Sequence, residues 1–229
     1  MRMTSLRTER GFTMVELLVA SVVTIVVVGG AVALTSQIQN GYRRQLEDSA
    51  AEQEARYALD WIGRYVRGAA NNPTNAATTN CPDSADDPAP MDFDGVRFDP
   101  NADGDDNDVR LMTDSNPPDG LIGGPDAAGD CTQANEDVTI SLDPDANTIT
   151  FFDNNTGGAV STRTDTIIEN LEFIFRNSAR AVLDSAVANP AHVMYIETRI
   201  TIRTRTVDAS TGDPMTRTLS QEVKIRSRQ

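Results

Sequence analysis

The chain is poor in the residues that catalysis draws on. Its one histidine, His192, follows Pro190-Ala191 with no acid or nucleophile at motif spacing, and no G-x-x-x-x-G-K-[ST] run occurs. Nothing therefore signals acid–base, nucleophilic or phosphate-cradling chemistry, and the sequence reads as that of a non-enzyme. Cysteine is scarce: Cys81 and Cys131 are the only two, so only one pairing is available. Basic residues are outnumbered, 20 Lys+Arg against 34 Asp+Glu, for a net charge of −14. The deficit is local, since residues 81–145 hold 18 Asp+Glu against 2 Arg. A segment this acidic repels nucleic-acid phosphates and anionic headgroups, which makes nucleic acid an unexpected partner. It suits divalent cations, a basic partner or solubility at high ionic strength instead.

One further absence organises the rest. From Phe12 to Leu34 there is no proline and no charge except Glu16. This run has about the ~20 apolar residues a helix needs to cross a bilayer core. Arg2, Arg7 and Arg10 precede it against the single acid Glu9, so the positive-inside rule keeps the N-terminus in the cytoplasm and exports the rest. The small residue Gly11 stands on the cytoplasmic side of the run and no A-x-A-like site follows it, unlike a secretory signal peptide. Glu16 costs roughly 2.5–3.5 kcal/mol to place in lipid, and such a residue usually has a partner.

Gly11-Phe12-Thr13-Met14-Val15-Glu16-Leu17-Leu18-Val19-Ala20 resembles the cleavage and methylation motif of the type IV pilins and the pseudopilins of type II secretion. The resemblance implies cleavage between Gly11 and Phe12 by a membrane-embedded prepilin peptidase, and N-methylation of Phe12. It makes Glu16 the fifth residue of the mature chain. An ammonium on Phe12 of a neighbouring subunit would neutralise Glu16 where water is excluded and would set the register between subunits. The implied partners are other pilins through the N-terminal helix, the peptidase, and an inner-membrane assembly platform. The implied location is a single pass through the inner membrane with a periplasmic C-terminal domain, then a filament at the cell surface.

Five segments follow: a leader removed over 1–11, a membrane or filament-core helix over 12–34, an amphipathic helix over 35–70, an acidic loop-rich region over 71–136 and an antiparallel sheet over 137–229. The fold class is α+β, a long helix packed on a C-terminal sheet. Ile38, Tyr42, Leu46, Ala50, Tyr57, Trp61 and Tyr65 keep helical spacing, widened by Ala58, Ile62 and Val66, and predict the seam against the sheet. Gly68 and Asn71-Asn72-Pro73 predict its end. Between 71 and 135 only short strand-like pieces interrupt Asp, Asn, Pro and Gly. From Val138 the period becomes 2, through Ile149–Phe151, Ile167–Phe175, Tyr195–Thr206 and Thr218–Arg228. The last two strands set apolar residues on one face and Glu197, Arg199, Arg203, Arg205, Glu222 and Lys224 on the other, an antiparallel pair with one wet face.

The layout resembles the PilW-like minor pilins and the J-type pseudopilins. It implies a minor pilin that primes assembly or sits at a filament tip, with a secretion pseudopilin or a tip-displayed adhesin or DNA-uptake subunit as alternatives. In an exported domain Cys81 and Cys131 would form a disulfide. It would close a loop of about 50 residues, worth roughly 4 kcal/mol in chain entropy.

Asp99-Pro100-Asn101-Ala102-Asp103-Gly104-Asp105-Asp106-Asn107-Asp108 reads D-x-N-x-D-G-D. Oxygen ligands at alternate positions with glycine sixth is how a short loop wraps Ca²⁺. Asp99, Asn101, Asp103, Asp105 and Asp108 are the candidate ligands, and the twelfth position, where an EF-hand has glutamate, is Arg110. The alternative is an acidic, solvated turn.

Overall fold

A computed structural model of the chain describes residues 11–73, 78–82, 90–115, 122, 133–156, 159–184, 189–207 and 212–227. One helix, α1 (Met14–Gly68), is followed by ten strands: β1 (Thr78–Pro82), β2 (Pro90–Asp92), β3 (Val96–Phe98), β4 (Asp108–Met112), β5 (Asp137–Asp143), β6 (Thr148–Asp153), β7 (Ser161–Thr162), β8 (Ile168–Arg176), β9 (Tyr195–Val207) and β10 (Pro214–Lys224). The fold is α+β, with a long N-terminal apolar helix and antiparallel sheets after it. The chain divides into two compact units, Met1–Leu46 and Glu47–Gln229.

In the first unit the helix stands without a core of its own. Val19, Val23, Val27 and Leu34 are each more than half exposed. An apolar surface of this kind has to be covered by lipid or by other protein.

The second unit has three antiparallel sheets. β1 pairs with β2, five strands run in the order β3-β4-β5-β6-β7, and three run in the order β10-β9-β8. The period-2 reading of β5, β6, β8 and β9 follows the register, in which Ile140 faces Phe151 and Leu171 faces Ile200 across adjacent strands. β4 lies inside the five-stranded sheet, between β3 and β5, and all five of its residues are buried. The acidic region thus supplies two strands to the same sheet as β5, β6 and β7.

A single core cluster joins the helix to both larger sheets. On the helix its centre is Ala51, Ala55, Ala58, Ile62 and Val66, a face of mostly small residues at 3–4 spacing. The seam is therefore centred on Ala58, Ile62 and Val66, the residues expected only to widen it, and not on Tyr57, Trp61 and Tyr65. Trp61 is buried and Tyr65 partly so, but Tyr57 is 58% exposed. The three sit along the edge of the small-residue face, where Trp61 packs edge-on to Phe151 of β6 with centroids 6.3 Å apart. Small residues let the helix backbone come close: a Cβ on Gly63 would stand 3.4 Å from Val223 Cγ2 of β10.

Gly68 is the last helical residue, and the left-handed residue beyond it is Ala70, at φ 58°. Its amide donates to Met112 O across 2.8 Å. Gly95, at φ 74°, lies against it, so close that a Cβ there would stand 2.4 Å from Ala70 Cβ. Only glycine satisfies both the positive φ and that approach.

Candidate functional site

Gly11 and Phe12 lie exposed, just ahead of the helix. Thr13 is its N-cap. The Thr13 backbone N–H donates to Glu16 Oε2 at 3.0 Å and the Thr13 hydroxyl to the same oxygen at 2.9 Å. In return the Glu16 N–H donates to Thr13 Oγ1 at 3.2 Å. This is a reciprocal capping box, and its sequence signature, T-x-x-E over Thr13–Glu16, was legible beside the apolar run. The carboxylate that seemed stranded in oil has a local role: it satisfies helix N-terminal donors that lipid cannot. Glu16 Oε1 takes no hydrogen bond among the described residues, which leaves it open to a second partner.

The outward arginines of the last strands are engaged. Arg203 Nε reaches Glu169 at 2.7 Å, Arg199 Nε reaches Glu197 at 2.8 Å, and Arg217 pairs with Glu52 of the helix. Glu197 also accepts from Arg176 at 2.5 Å. That bond, then the one from Arg199, holds its carboxyl below the ordinary glutamate range against the opposing effect of burial. A stripe neutralised in this way is a poor phosphate binder. The side chain of Arg205 lies outside the described residues.

The acidic loop connects β3 to β4, and the structure brings its predicted ligands into one turn. Asp99 Oδ1 accepts from the Asp103 N–H at 3.0 Å and Asp99 Oδ2 from the Gly104 N–H at 2.9 Å. Asn101 Oδ1 accepts from the Asp103 N–H at 3.1 Å and Asp103 Oδ1 from the Asp105 N–H at 2.9 Å. Gly104 has φ 89°, the sharp turn that the sixth position requires. Asp108 differs from its exposed neighbours: it is 1% exposed. Burial, then the charges of Asp99 and Asp103, push its carboxyl up to about 7, opposed by a hydrogen bond from the Asn101 backbone N–H. Among the described residues no three histidine, cysteine, aspartate or glutamate side chains converge as a ready-made metal centre. Arg110, at the twelfth position, belongs to the sheet. It makes a two-pronged, buried ion pair with Asp137 of β5, at 2.7 and 2.6 Å.

The Cys81–Cys131 pairing lies outside the described residues. The backbone of Cys81 is in β1, while its side chain and the whole of Cys131 are not described. His192 is exposed on a single 3-10 turn, Pro190–His192. An open recess of about 840 Å³ lies beside the end of the helix, lined among others by Trp61, Tyr65, Phe151, Arg163 and Arg226.

The prokaryotic N-terminal methylation motif matches the chain over residues 6–32. No curated protein and no solved structure matches it at a significant level. A motif of this kind implies processing by a prepilin peptidase and assembly with other pilins, and the exposed apolar helix behind it fits a membrane anchor. By that motif and by the helix it opens, the N-terminal segment is that of a type IV pilin or pseudopilin.

Proposed function

We propose that the chain is a minor pilin, a structural subunit that primes a type IV pilus or sits at its tip. What carries the reading is one coincidence: Gly11-Phe12 and Glu16 stand at the head of a helix whose large apolar residues lie bare to the outside. The helix provides non-directional apolar attraction to lipid and then to other subunits. Glu16 provides register, its free oxygen meeting the Phe12 ammonium of a neighbour where water is excluded. The domain beyond the helix provides the choice of partner. Its size favours a minor subunit over the repeating one, and the pairing of its outward arginines with glutamates favours a structural role over direct DNA contact.

The chain would enter the inner membrane with residues 1–11 in the cytoplasm, lose them after Gly11, and leave the membrane through the assembly platform. Intact-mass spectrometry of protein extracted from membranes tests this. The expected species begins at Phe12 and carries one N-methyl group. Retention of residues 1–11 in cells with an active prepilin peptidase would reduce the chain to a tethered exported domain.

A further inference from the structure

We propose that the loop from Asp99 to Asp108 binds a hard divalent cation of the Ca²⁺ class, held by side-chain oxygens of Asp99, Asn101, Asp103 and Asp108 and the backbone carbonyl of Asp105, and that the ion clasps the two larger sheets together.

A run of aspartates alone would not carry this. The second observation is Asp108. It is 1% exposed, and its Oδ1 is sealed from solvent with no hydrogen-bond partner among the described residues. The Asp99 and Asp103 charges and the Asn101 backbone N–H all bear on its carboxyl. Burying a carboxylate oxygen with nothing to receive its charge is costly, and buried charges are normally paired or bound to metal. No base is placed to do it from within the loop, since none occurs between Asp99 and Asp108. Arg110, next along the strand, is already committed to Asp137. A cation in the turn is the group that the orphan oxygen lacks.

The remaining ligands are compatible. Each oxygen of the Asp99 carboxylate spends one lone pair on a backbone N–H and keeps another for an ion. The donor set is all oxygen, mixed between carboxylate, amide and main chain, on a flexible turn with glycine sixth. This favours Ca²⁺ over Mg²⁺, which demands a tighter octahedron. It also explains why no three acids converge on their own. Part of the set is not acidic, and five like charges within ten residues hold one another apart until an ion draws them in.

The position gives the ion its role. Asp106 O accepts from Phe173 N of β8 at 2.8 Å, and Asn107 O accepts from Leu142 N of β5 at 3.1 Å. At the other end of the loop Phe98 packs edge-on against Phe175 of β8, with centroids 4.4 Å apart. The loop thus touches both the three-stranded and the five-stranded sheet. An ion that tightens the turn tightens the joint between them.

The full-length chain, purified in detergent and stripped with EDTA, provides the test. Titration with CaCl₂ is expected to give saturable heat for one ion and to raise the melting temperature by several degrees. An equal ionic strength of NaCl should not reproduce the shift, and MgCl₂ should bind about tenfold more weakly or worse. Asp108→Asn should melt no lower than the wild type without Ca²⁺, because it relieves a buried charge, and should lose the Ca²⁺ response. Asp99→Asn should lose the response as well. The double variant Asp143→Asn/Asp145→Asn, at the end of β5 and in the turn after it, should keep it. No saturable heat and no shift at millimolar Ca²⁺, or a shift that survives Asp108→Asn or follows NaCl, would overturn the site. An equal response to Mg²⁺ would overturn its assignment to Ca²⁺.

Discussion

Glu16 serves its own helix through one oxygen and leaves the other without a hydrogen bond among the described residues, so the cap can be separated by substitution from the register role proposed for it. The cap needs a side-chain acceptor three residues after Thr13, and glutamine supplies that as well as glutamate does. Register with a neighbour's ammonium needs the negative charge. Glu16→Gln is therefore expected to keep the helix start and membrane insertion while failing to enter filaments. Glu16→Ala should still insert in the membrane but lose both the cap and filament entry, with about 1 kcal/mol of helix-end stability going with the cap. Shearing filaments from cells and comparing that fraction with the membrane fraction measures the outcome. If the glutamine variant enters filaments like the wild type, Glu16 is a helix cap and its charge has no part in assembly.

Among the elements, the legible ones were those with one wet face. β8 and β9 alternate because one side meets the core, and alternation is visible in a sequence. β4 was visible as the strand-like piece 109–112, but its place inside the sheet was hidden, because it is buried on both faces while carrying Asp108 and Arg110. Arg110 is tolerable inside only because Asp137 answers it from β5, and a partner 27 residues away leaves no local trace. On the helix, the large aromatics stand out in the sequence over Ala51 and Ala55, whose weak hydropathy conceals their burial. The capping box was overlooked for a related reason: hydropathy treats Glu16 as a cost and does not see its hydrogen bonds. The aspartate loop was legible because its spacing is itself the geometry. Asp94-Gly95 carries only a local turn signal, with nothing in it to show that Gly95 joins the end of the helix to the sheet. Gly95→Ala would set a methyl 2.4 Å from Ala70 Cβ at a φ of 74°. Overpacking and left-handed strain together should cost about 3 kcal/mol, a fall in melting temperature of about 6–12 °C. Thermal melting of the variant checks this. A change of less than a few degrees would mean that the backbone at Ala70 gives way freely.

For the molecule as a whole, burial is divided sharply along the chain. The core cluster starts at Ala51, and no described residue before it belongs to that core. Among the described residues the densely exposed apolar side chains all lie earlier, and beyond Leu46 those left bare are scattered: Tyr57, Val160, Val182, Val207 and Met215. Isolated exposed apolar residues of this kind are ordinary on a protein surface. The side chains that form the domain core and those left exposed on the first half of the helix are thus separate sets. A chain beginning at Glu47 is expected to be soluble without detergent and to melt in one cooperative transition within a few degrees of the full-length protein, because it keeps every core residue and the Arg217–Glu52 pair. Calorimetry and gel filtration would show it. A truncated chain that aggregates, or that melts without cooperativity, would mean that the apolar segment takes part in folding the domain, and the division between an assembling helix and an independent domain would fail.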